Sequence, residues 1–68
     1  MYIIEKLNRE NYTTTTERIW TVTDSEAQKE IARLKKDFPV VWDDRKAKGS
    51  IAIRIGENKL INIYKMKS

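Results

Sequence analysis

Isoleucine falls on every second position near the end of the chain, as Ile51, Ile53 and Ile55 in one run and Ile61 and Ile63 in the next. A period of two places such residues on one face of a β-strand, and two runs this close in sequence make an antiparallel hairpin. Bringing both sets to the same face requires Ile55 to pair with Ile61, or any register of the same parity, because a slip of one residue turns a whole strand over. The hairpin loop must then hold an odd number of residues. Glu57-Asn58-Lys59 meets that condition, with Asn58 or Lys59 in the left-handed region or Gly56 absorbing a bulge. A two-residue Glu57-Asn58 turn would instead set Asn62 opposite Ile53.

An apolar sheet face needs a cover, and the chain offers one helix to provide it. Asp24 or Ser25 is the expected N-cap, Thr23 and Glu26 are spaced like a capping box, and Pro39 stops the segment just after Phe38. At about 100° per residue, Ala27, Ile31, Leu34 and Phe38 fall within an arc of roughly 60°, a narrow apolar stripe suited to one sheet. Before the helix, Tyr2 to Leu7 reads as a strand, Asn8 to Asn11 as its turn, and Arg18 to Thr23 as a second strand. The Thr13-Thr14-Thr15-Thr16 stretch lacks apolar alternation and is either an edge strand or a loop. Val40-Val41-Trp42 starts a strand that breaks at Asp43-Asp44 and the charged Arg45 to Gly49 loop. The expected fold is therefore α+β, one domain over residues 1–68: a small, mostly antiparallel sheet with one helix packed on it, in the order β-β-α-β-β-β. A reduced OB-like barrel is the minor alternative.

Charge is distributed unevenly along this plan. Residues 45–68 hold seven Lys/Arg and one acid, Glu57, whereas residues 1–44 hold seven bases and nine acids, so the surplus of +4 arises in the last third. Such asymmetry points to an anionic partner, most often nucleic acid. The isoleucine register brings Lys65 and Lys67 toward the 45–48 loop, so that Arg45, Lys46, Lys48, Lys65 and Lys67 gather at one end of the sheet. Trp42 and Tyr64 are the expected aromatic neighbours, and Arg54, Asn62 and Tyr64 share the other hairpin face. Aromatic rings interleaved with Lys and Arg suit single-stranded nucleic acid, whose bases stack and whose phosphates pair with cations. The competing reading is that these lysines only keep strand ends soluble, with Asp43-Asp44 offsetting part of the charge and Trp42 lying in or beside the core.

The helix row Lys29, Arg33 and Lys36, opposite the apolar stripe, reads as a solvated face with pairs such as Glu26 with Lys29 and Glu30 with Arg33 rather than as a DNA-reading helix. In the Arg18-Ile19-Trp20-Thr21-Val22 run, Ile19 and Trp20 point to opposite faces. Either Trp20 packs under the helix and Ile19 sits on the surface, or both faces are covered and the pair marks a partner surface.

Chemistry is sparsely provided for. With no Cys and no His in 68 residues, thiol nucleophiles, imidazole bases, disulfides and Cys/His zinc sites are excluded. Adjacent Asp43 and Asp44 point to opposite faces of a strand, and a turn role suits them and Asp24 better than Mg²⁺ ligation. Gly49 and Gly56 are isolated and open no phosphate loop. The chain is expected to be no enzyme, to need no cofactor or metal, and to take no small-molecule substrate. Its first residues lack a signal-peptide core, which reads as cytoplasmic, and its Lys, Ile, Asn and Thr content resembles coding from AT-rich phages or mobile elements. A chain this short buries only about 60% of its unfolded surface, so oligomerisation would help it. The leading expectation is a small basic nucleic-acid-binding protein, DNA or RNA. The alternative is a protein-interaction module, a homodimer or accessory protein, using a sheet edge or an exposed apolar face.

Overall fold

A computed structural model describes residues 1–66. Five strands, β1 (Tyr2–Glu10), β2 (Thr13–Val22), β3 (Val40–Asp44), β4 (Ser50–Arg54) and β5 (Lys59–Lys65), form one sheet in the order β2-β1-β5-β4-β3, with α1 (Asp24–Asp37) between β2 and β3 in sequence. Every neighbouring pair is antiparallel. This is the α+β architecture expected. β2 and β3 are both free edges, so the sheet stays open and the OB-like barrel is not formed.

Strand β1 is longer than its apolar run. It continues through Asn8-Arg9-Glu10, and a two-residue Asn11-Tyr12 loop returns the chain directly into the four threonines. The polar segment expected as a turn is thus strand, and Thr13 to Thr16 is edge strand, not loop. Pairing with β1 over the whole length supplies the hydrogen bonds that weak alternation could not foretell. A bulge between Lys6 and Leu7 leaves Glu17 as the extra residue of β2.

Thr23, rather than Asp24 or Ser25, caps α1. Its hydroxyl accepts from the Glu26 N–H at 3.2 Å while the Glu26 side chain reaches back to the Thr23 N–H at 3.4 Å, a closed capping box. Phe38 ends the helix in an extended conformation imposed by Pro39. The expected stripe is the one buried, with Ala27, Ile31 and Leu34 at 2% exposure or less and Phe38 packed beside them.

The terminal hairpin keeps the required parity but shifts by two residues. Ile53 pairs with Ile61 and Ile51 with Ile63, so the loop is Gly56-Glu57-Asn58, closed by the Ile55 N–H donating to the Lys59 carbonyl at 3.0 Å. Asn58, Lys59 and Gly56 avoid the left-handed region; among the described residues positive φ occurs at Asn11, Tyr12 and Gly49. Clamping by Arg54, whose guanidinium donates to the Gly56 and Glu57 carbonyls, replaces the left-handed residue in shaping this turn. Ile4, Ile51, Ile53, Ile61 and Ile63 line the face under the helix and form the core with its stripe. Among the described residues no helix is long and apolar enough to cross a membrane.

Candidate nucleic-acid interface

Side-chain parity sorts the charged and aromatic residues between two faces. Cross-strand partners share a face, so the rows Trp20–Ile4–Ile63–Ile51 and Val22–Tyr2–Lys65 belong to the helix side. One residue further along, Ile19–Glu5–Asn62–Ala52–Trp42 and Thr21–Ile3–Tyr64–Ser50–Asp44 lie on the open side. Nothing in the described chain covers that side.

Of the expected basic corner, Arg45, Lys46, Lys48 and Lys65 lie at one end of the sheet, toward its helix side. The Lys65 N–H donates to the Gly49 carbonyl at 3.0 Å, which ties β5 to the 45–49 loop. That loop curls back through Lys48 and Gly49 N–H groups, both donating to the Asp44 carbonyl, with Gly49 at φ 70°. Tyr2, Gln28, Asp43, Arg45 and Lys46 border one hollow there, so the loop leans toward the helix. Lys67 lies outside the described residues.

Arg45 is already engaged. Its Nε and Nη2 grip the two oxygens of Asp43 at 2.9 and 2.8 Å, holding the Asp43 carboxyl below the usual carboxylate range. Asp24 is likewise lowered by its hydrogen bond to the Met1 ammonium. Among the described residues Lys46, Lys48 and Lys65 are exposed cations that form no salt bridge, beside the closed Arg45–Asp43 pair.

Trp42 and Tyr64 stand apart from this corner, on the open face. Trp42 is 46% exposed and is the cross-strand partner of Ala52, which is 1% exposed. The expectation that Trp42 sits in or beside the core fails because the bulge between Val40 and Trp42 reverses the strand's facing, and Val41 is the extra residue. Tyr64 donates its hydroxyl to Glu5, which with burial raises the phenol above its ordinary value. Asn62 shares the Trp42–Ala52 row and precedes Tyr64 by two residues on β5.

The cations that share the open face are Arg54, as expected, and Arg9, which sequence reasoning missed. Both reach the surface at the Gly56–Asn58 end, remote from the lysine corner. The alternation Ile3-Glu5-Leu7-Arg9 assigns Arg9 to the face of Ile3, but its neighbourhood depends on β1 pairing with β5, a contact across more than fifty residues.

Ile19 and Trp20 do not form one patch. Trp20 packs on the core edge with the Arg18 guanidinium 4.3 Å over its ring, while Ile19 is 57% exposed on the open face. Lys29, Arg33 and Lys36 are solvated, and the Glu30–Arg33 pair forms. No cluster of three potential metal ligands is assembled among the described residues.

The fold and its uncovered, aromatic and arginine-bearing face define a small open-faced α+β sheet protein. No protein-family model, curated protein or solved structure matches the chain.

Proposed function

We propose that the chain binds single-stranded nucleic acid across the open face of its sheet. The observation that carries this reading is that exposed Trp42 shares an uncovered face with Tyr64, Asn62, Arg54 and Arg9. Stacking on exposed rings tolerates any base, and arginines at the margin pair with phosphates. Lys46, Lys48 and Lys65 at the far end add a long-range attraction that draws a polyanion toward the sheet without sorting sequences. The sheet is unsuited to enter a duplex groove by a helix, because the exposed helix row carries acids among its bases.

Tryptophan fluorescence tests this directly, since Trp42 is exposed and Trp20 is packed. Single-stranded DNA, duplex DNA and RNA are each titrated at several salt concentrations. Quenching by single strands, with affinity falling as salt rises, supports the proposal; a signal equal for duplex, or none at low salt, sinks it.

A second reading rests on Ile19 and on the ten-residue β2 edge, unpaired on its outer side. Long free edges accept another strand. A second copy there would make mass in solution depend on concentration, and sedimentation of a constant monomer would end that reading.

A further inference from the structure

The β1–β2 loop is conformationally costly and its side chain is unused. Asn11 and Tyr12 are the two central residues of the hairpin loop, with φ of 51° and 64°, so both occupy the left-handed region. Two-residue turns of this hand favour Asn-Gly, because glycine adopts positive φ freely and a residue with a Cβ does not. Asn11 fits that preference. Tyr12 does not, and its ring is fully exposed, so no packing in the chain offsets the strain.

Tyr12 borders an open surface hollow of about 660 Å³. Leu60 and Val41 are among its apolar lining, and its polar lining includes Arg9, Arg54 and Asn58. The register sets Arg54 opposite Leu60 and Leu60's other neighbour Leu7 two residues from Arg9. Two strand spacings and two residues separate the arginine backbones by roughly 12 Å, a gap two arginine side chains can close on one phosphate. Arg54 is held in place by the Gly56 and Glu57 carbonyls, which use its Nε and one Nη2 proton and leave the other donors for a ligand. Arg9, Arg54 and Lys59 against Glu57 give the border a net charge of +2, although Lys59 is shared with Glu17 at 3.5 Å.

We infer that this hollow is a nucleotide subsite, in which Tyr12 stacks on one base of the bound strand while Arg9 and Arg54 hold its phosphate. The inference rests on the open face being the nucleic-acid interface and adds where one nucleotide is fixed. Strain at Tyr12 is then explained by the ring's position, which a relaxed turn with glycine could not supply.

Tyr12→Gly separates folding from binding, because glycine suits the turn and should raise the melting temperature while removing the ring. Wild type, Tyr12→Gly, Tyr12→Phe and Arg9→Ser are titrated with single-stranded oligothymidylate at several salt concentrations. Tyr12→Gly is expected to bind about tenfold more weakly with its fold intact, and Tyr12→Phe to retain affinity. Arg9→Ser should reduce the slope of log affinity against log salt by about 0.7. If wild type binds and Tyr12→Gly binds equally well, the subsite is wrong while the wider interface survives. Should wild type bind no oligonucleotide at low salt, both fall. Thymidine 5′-monophosphate alone, binding as tightly as the strand, would overturn the strand subsite in favour of a free-nucleotide site.

Discussion

On the helix side of the sheet, Ile4, Ile51, Ile53 and Ile63 retain at most 1% of their accessible surface, whereas on the open side Ile3 and Tyr64 are half-buried and, on β3, Trp42 keeps 46%. The strands are common to both faces, so propensity cannot separate them. Coverage does. A helix with a single narrow stripe can close one side of a five-stranded sheet, and the other side must be tolerated in water by mixing Asn62, Glu5, arginine and threonine among its apolar groups. The apolar residues that remain on that side, Trp42 and Ile19 foremost, are the ones on which the two proposed readings rest.

The contrast can be broken most forcefully from the covered side. Ile53→Ala removes a fully buried side chain between β3, β5 and the helix and is expected to cost ~2–5 kcal/mol. In a domain this small that lowers the melting temperature by roughly 10 °C or more, measurable by circular dichroism. A loss below about 1 kcal/mol would mean that the covered face is not the core. Thr23→Ala opens the capping box and should cost ~1 kcal/mol, loosening the cover without touching the sheet. Trp42→Ala tests the open side in the opposite sense: stability should change by about 1 kcal/mol or less, while single-strand affinity falls about tenfold. Were the two effects reversed, Trp42 would be a core residue and the proposed interface would have no centre.

Acid should act weakly through the Asp43–Arg45 pair. Asp43 has its folded pKa depressed by Arg45, so its stabilising contribution is present above the unfolded value of about 3.9 and is lost as pH falls through the lower folded value. Asp43→Asn should therefore flatten the acid limb of a melting-temperature profile below about pH 4 and leave neutral pH nearly unaffected. An unchanged acid limb would show that the Arg45 grip contributes nothing in solution, as many exposed pairs do not.

Much of the plan was legible because it is local. Capping, the apolar stripe and the proline stop are all encoded between Thr23 and Pro39, and the parity of the isoleucine hairpin follows from the two-residue period alone. The candidate site was legible only in pieces. Arg54, Tyr64 and Asn62 were grouped correctly by parity within one hairpin, while Trp42 was joined to the lysine corner because a bulge in β3 leaves no mark in composition. Arg9 was missed for a related reason, since nothing near it in sequence says that β1 pairs with β5.

By itself, then, the sequence determined the helix and its buried stripe, the odd hairpin loop and, through composition, the absence of thiol and imidazole chemistry; the first two are consequences of neighbours within a turn or a strand. Tertiary structure alone decided the strand order, the shift of the hairpin by two residues, the facing of Trp42 and the meeting of Arg9 with Arg54 on the open side. Those depend on which distant strands meet and where a bulge reverses their facing, and a one-residue change there moves a side chain through the sheet from one solvent exposure to another.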